Sequence, residues 1–167
     1  DAKIDELAQL AGEMRRRGGV LAYDAILADE LKEFLATVDE RKAARIANPD
    51  ARDNSLSEGG ARELRRCVAL FVEWLNDARP RIATGEIDGA FLARYWRHLS
   101  TAPTVRGATV IRRSAATIAS NKRALRAAFG WIADRRPVRF PDWELLRKAF
   151  ASKVAANDKA SAFEPAT

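Results

Sequence analysis

Apolar residues recur along this chain at intervals of three and four, and no segment sustains strand-type alternation bounded by turn signals, so an all-α protein is expected. Residues 3–17 predict a first helix, stopped by Gly18-Gly19 after the Arg15-Arg16-Arg17 run, where cations suit the negative end of the helix dipole. A second helix starts near Val20 and carries Tyr23, Ile26, Leu27, Leu31, Phe34, Leu35 and Val38 as one apolar stripe. The two read as a helical hairpin. Residues 48–59 collect Asn, Pro, Asp, Ser and Gly and read as a linker. A helix over 58–79 follows, with Ser57 as N-cap, an inward face of Leu64, Cys67, Val68, Phe71, Trp74, Leu75 and Ala78, and Pro80 as its stop. A third element, Asp88 to Ser100, buries Phe91, Leu92, Tyr95 and Leu99, and residues 101–109 read as a polar loop. A long helix from Ser114 to Asp134 turns Ile118, Leu125, Phe129 and Ile132 inward. Pro137 and Pro141 break the chain before a last helix capped by Asp142, and residues 155–167 read as a frayed end. The expected organisation is an acidic helical hairpin and linker (1–57), a helical domain (58–136) and a terminal helix with tail (137–167), giving a bundle of four to five helices behind a hairpin.

Charge changes this picture. The 167 residues carry a net charge of +6, unevenly spread. Residues 1–57 hold nine Lys or Arg against twelve Asp or Glu, whereas residues 58–136 hold fifteen against seven. No acid occurs between Asp88 and Asp134, the stretch containing Arg94, Arg97, Arg106, Arg112, Arg113, Lys122, Arg123 and Arg126. A field of one sign attracts a polyanion and releases its counterions on binding, which makes affinity salt-sensitive. The plainer reading is a solvated arginine-rich face, although such faces usually interleave acids. At 100° per residue Lys122, Arg123 and Arg126 fall within about 100° of one another on a helix flank. With Ser114, Thr117 and Asn121 on the same helix and Arg112 and Arg113 at its entrance, they form the candidate DNA-contacting surface. Arg94, Arg97 and Arg106 extend it, and Arg62, Arg65 and Arg66 are a second tier. Arginine can pair bidentately with guanine or phosphate, and short polar side chains add contacts. Ser114 and Thr117 have an equally good role as local caps, and Trp74, Phe129 and Trp131 read as packing residues.

Other chemistry finds little footing. The single cysteine, Cys67, lies in an apolar stripe, which leaves no disulfide framework or thiolate cluster and fits a reducing compartment. One histidine, His98, excludes a His-based metal cluster, and no Walker-type Gly-rich loop occurs. Tyr23 and Tyr95 sit in apolar stripes, and Glu86 and Asp88 suit a helix N-terminus. No apolar run approaches the ~18–20 residues needed to cross a bilayer, and DAKIDELAQL lacks the regions of a signal peptide. The absence of an initial methionine fits a fragment of a longer chain.

Three motifs then occur in order. They are Phe71-Val72-Glu73-Trp74-Leu75, Ile87-Asp88-Gly89-Ala90-Phe91 followed by Tyr95 and Leu99, and Thr117-Ile118 followed by Arg123-Ala124-Leu125-Arg126-Ala127-Ala128-Phe129-Gly130-Trp131-Ile132. Their order and spacing resemble the core-binding, SAM-like domain of tyrosine site-specific recombinases, the phage-type integrases, over about half the chain. The resemblance implies a duplex DNA-binding domain, one half of a C-shaped clamp whose other half is a separate catalytic domain. It also implies a cytoplasmic, DNA-associated setting in a bacterium, phage or mobile element. That family's catalytic set, a tyrosine nucleophile with arginines, a lysine and a His-x-x-Arg motif, has no counterpart here: residues 98–101 are His-Leu-Ser-Thr. No catalysis, cofactor, metal or small-molecule substrate is expected of this chain. The partner expected is double-stranded DNA, with a homo-oligomer on DNA formed through the N-terminal helices as a further arrangement. The alternative is a helical protein–protein interaction or oligomerisation module. A repressor is disfavoured, since no compact helix-turn-helix occurs.

Overall fold

The computed structural model describes residues 2–16, 23–50 and 55–151. It is an all-α fold with one small β-hairpin. The helices are α1 (Ala2–Arg16), α2 (Leu27–Ala47), α3 (Glu58–Ala78), α4 (Gly89–Thr101), α5 (Ala115–Arg135) and the single turn α6 (Trp143–Leu146), which continues into a 3₁₀ turn, Arg147–Phe150. Capping side chains set several starts, that of Asp88 being apparent only in the structure. Ser57 Oγ accepts the Gly60 N–H ahead of α3, and the Asp88 carboxylate accepts the Phe91 N–H ahead of α4. Ser114 Oγ accepts the Thr117 N–H at α5, and Asp142 the Glu144 N–H at α6.

One core joins all of these elements except α1. Leu27, Leu31, Phe34 and Val38 of α2 pack with Val68, Phe71 and Leu75 of α3, Leu92, Tyr95 and Leu99 of α4, and Leu125, Phe129 and Ile132 of α5. Val138, Phe140, Leu146 and Phe150 close it from the C-terminal side. Phe71 sits at the centre, with its ring centroid 4.8 Å from Tyr95 and 5.7 Å from Phe129 in edge-to-face geometry. Trp74 stacks on Phe71 and Trp131 tilts against Phe34, so both pack as the sequence suggests.

Three expectations need correction. First, α2 is not the second arm of a hairpin with α1. Its stripe is buried against α3 and α5, while Ile4, Leu7 and Leu10 of α1 stay 66%, 63% and 48% exposed. Residues 23–26 are not helical but extended, threaded between two other segments: Leu27 N–H donates to Ile82 C=O, Thr84 N–H to Ala25 C=O, and Arg139 N–H to Tyr23 C=O. Tyr23 is accordingly about half exposed and outside the stripe. Second, the divisions at 57 and 136 do not separate cores. Glu30 of α2, almost wholly buried, pairs bidentately with Arg136 beyond α5, with Nε to Oε2 at 2.6 Å and Nη2 to Oε1 at 3.3 Å. Third, the polar loop at 101–109 contains strand β1 (Thr104–Arg106), paired antiparallel with β2 (Thr109–Ile111). Gly107, at φ +60°, opens the two-residue turn, a conformation that favours glycine and suits the strand twist. The expected stop at Gly18-Gly19, the helix start near Val20, part of the 48–59 linker and the frayed end at 155–167 lie outside the described residues.

Candidate nucleic-acid interface

Helices α3 and α5 lie side by side in opposite directions, so that Arg66–Glu73 faces the entrance of α5 and Gly60–Leu64 faces Ser120–Ala124. At the first crossing is a cleft of about 550 Å³, lined by Arg66, Ala69, Leu70, Glu73, Thr104, Ile111, Arg112, Arg113, Ser114 and Thr117. At the second is a shallower depression of about 290 Å³, bordered by Leu56, Glu63, Leu64, Ser120 and Arg123. The seam therefore gathers six of the sequence-derived residues: Arg112, Arg113, Ser114, Thr117 and Arg123, with Arg66 of the second tier.

Their local partners differ. Arg112 is exposed, and Arg113 is half-buried with Nη1 3.5 Å from the Ala102 carbonyl that it donates to. Ser114 caps α5 and its Oγ lies 3.0 Å from Thr117 Oγ1, so the capping role holds for this pair while their side chains border the cleft. Arg123 Nη2 donates to Ser120 Oγ at 3.2 Å, and Arg126 follows one turn on, exposed. On α4, Arg94 sits 6.0 Å from the Phe91 ring centroid and Arg97 points to solvent. Arg106 lies on β1, with its side chain outside the described residues. Among the described residues, none of Arg94, Arg97, Arg112, Arg113, Arg123 and Arg126 forms an ion pair.

Asn121 and Lys122 do not belong to this surface. Asn121 is fully buried, donating from Nδ2 to the Thr117 carbonyl one turn back, with Oδ1 left without a partner. Lys122 is 8% exposed; Nζ donates to the Ala151 carbonyl at 3.3 Å and sits 5.4 Å from the Trp96 ring centroid. The cause is the segment after Pro141. The 3₁₀ turn packs over α4 and α5, Trp96 Nε1 donates to the Ala149 carbonyl, and the flank of α5 carrying Lys122 is covered. Burial pushes the Lys122 ammonium below its ordinary range. The second-tier arginines are also committed, Arg62 to Glu58, Arg65 to Asp39 and Arg66 to Glu63. The Arg66 hydrogen bond holds the Glu63 carboxyl below the usual carboxylate range, with a smaller pull from Arg123 across the seam.

Sequence reasoning missed Thr104, Ile111 and Ser120. For the first two a signal was present: Thr104-Val105-Arg106 and Thr109-Val110-Ile111 are β-branched runs around Gly107-Ala108, a hairpin pattern. Tyr95 of α4 is fully buried and its hydroxyl has no hydrogen-bond partner. Burial raises its phenol well above the ordinary range, against a smaller opposing effect of Arg113 and Arg66. No known family model, curated protein or solved structure matches this chain. Among the described residues, no helix is long and apolar enough to cross a membrane.

Proposed function

We propose that this chain binds duplex DNA, as the core-binding portion of an integrase-like tyrosine recombinase engaged in DNA integration or recombination, with cleavage carried by another domain. The observation that carries the reading is the α3–α5 seam, where Arg112, Arg113 and Arg123 meet three hydroxyl-bearing residues at the start of a long helix. Arginines that form no ion pair can exchange water for phosphate oxygens without first breaking one. Arg126, Arg94 and Arg97 are exposed and add to the positive charge of the surface. The recombinase assignment rests on the three hydrophobic motifs; the packing of Phe71, Trp74, Tyr95 and Phe129 supports those motifs as core positions.

Fluorescence anisotropy with a labelled duplex, titrated at several salt concentrations, tests the reading. Affinity should fall steeply with salt, and each phosphate-contacting arginine replaced by Ala should lower the log–log slope by about 0.9. Absence of binding at low salt, or unchanged binding by an Arg123→Ala/Arg126→Ala variant, would refute it.

A second reading is favoured by α1, whose apolar Ile4, Leu7 and Leu10 face solvent. An isolated fifteen-residue helix is marginal in water, so such a stripe suits a partner, whether another protein or a neighbouring protomer on DNA. Sedimentation with and without duplex separates these. A stable oligomer indifferent to DNA favours an interaction module.

A further inference from the structure

The cleft at the entrance of α5 has features that a general basic surface lacks. Its charges are nearly balanced. Arg66 is matched by Glu63 at 2.9 Å, which leaves Arg112 and Arg113 against Glu73, a surplus of one positive charge. The first N–H groups of α5 add a partial positive charge, and Ser114 engages only that of Thr117, so those of Ala115 and Ala116 have no acceptor within the helix. Part of the wall is apolar: Ala69 and Leu70 from α3, Ile111 from β2. One hydroxyl in its wall, Thr104 Oγ1, is buried and lacks a partner. Buried polar groups in folded proteins are ordinarily satisfied, so such a hydroxyl in the wall of a cleft points to a ligand that brings an acceptor.

We infer that this cleft is a binding site for a single phosphodiester monoanion together with its attached nucleoside. A surplus of one charge suits a group of charge −1, whereas a phosphomonoester dianion would be held against the Glu73 carboxylate. The phosphate oxygens accept from Arg112, Arg113 and the Ala115 and Ala116 N–H groups, and Thr104 turns its hydroxyl toward them. The sugar and base lie along Leu70 and Ile111, within a volume of the size that small ligands occupy. The inference rests on the DNA-binding reading for only one of its two sources: the phosphodiester belongs to a bound DNA backbone or to a free dinucleotide.

The test follows the backbone amides of Ala115 and Ala116 by two-dimensional NMR of the whole chain, with the dinucleotide TpT, inorganic phosphate and a short duplex as probes. TpT should move both amides saturably, and inorganic phosphate at neutral pH should do so about tenfold more weakly. Arg112→Gln and Arg113→Gln should each weaken TpT by about tenfold. Thr104→Val, which removes only a hydroxyl, should weaken it with no loss of thermal stability, and Arg147→Ala, outside the cleft, should leave it unchanged. If duplex displaces TpT, the source is the DNA backbone; if TpT binds and duplex does not compete, the source is a free nucleotide, and the cleft stands in both cases. TpT binding without any duplex binding keeps the cleft while removing the DNA reading. Duplex binding with no movement of these amides by either nucleic-acid probe overturns the cleft and leaves the DNA reading intact, as does TpT binding that Arg112→Gln, Arg113→Gln and Thr104→Val all leave untouched.

Discussion

Replacing Arg136 by Ala should destabilise the whole bundle and not just its C-terminal end. Arg136 is the only described partner of Glu30, whose side chain is 5% exposed, and the pair is bidentate at 2.6 and 3.3 Å, with the guanidinium 5.8 Å from the Trp131 ring centroid. Hydrogen bonding to Glu30 holds Arg136 above its ordinary range. Removing one member of a buried pair leaves an uncompensated charge and costs about 3–5 kcal/mol. Arg136 itself is partly exposed, at 29%, so water can partly solvate the stranded carboxylate, and the lower end, about 3 kcal/mol, applies. For a chain of this size that is a drop of roughly 10 °C in Tm. Urea unfolding followed by tryptophan fluorescence measures it, with Trp131 beside the lesion. The double variant Glu30→Leu/Arg136→Met should recover most of the loss, because an apolar pair of similar volume carries no stranded charge. A single transition of unchanged slope should persist, since α2 shares one core with α3 and α5. A loss under about 1 kcal/mol, or a double variant no better than Arg136→Ala, would refute the argument. A split transition would show instead that residues 23–47 unfold as a separate unit.

Lys122→Met should leave duplex affinity within about twofold, since Nζ is occupied by the Ala151 carbonyl and not by the interface. Its folded-state pKa lies below the ordinary value of 10.5, so the unfolded chain holds the proton more tightly. Wild-type stability therefore gains from this group as pH rises through the folded pKa toward 10.5, and Lys122→Met should lack that alkaline gain in urea titrations at neutral and alkaline pH. Cys67 is fully buried and its thiol is pushed up to about 11, so a disulfide reagent should label the native chain roughly 100-fold more slowly than the urea-unfolded chain. Phe71→Ala removes the ring touching Tyr95, Trp74 and Phe129 and should cost about 3–5 kcal/mol by urea unfolding, whereas a loss under 1 kcal/mol would contradict its central position.

Read alone, the sequence determined the local matters. Helices α3, α4 and α5 follow from three- and four-residue apolar spacing, and the starts of α3 and α5 from Ser57 and Ser114, because a cap bonds an N–H two or three residues away. The acid-free stretch from Arg94 to Arg126 is equally visible in the sequence, and so are the packing roles of Trp74, Phe129 and Trp131. Tertiary structure decided which flank of each helix meets water. Lys122 and Arg123 are adjacent in sequence, yet one lies under Ala151 and the other stands at the α3–α5 seam, because a segment almost thirty residues downstream packs over α4 and α5. It also decided that α2 joins the central core while the stripe of α1 faces solvent, and that Thr104 and Ile111 turn a loop into the wall of a cleft. An apolar stripe records that a face must be buried. It carries no record of the partner, which contacts between distant segments select by competing for the same surface.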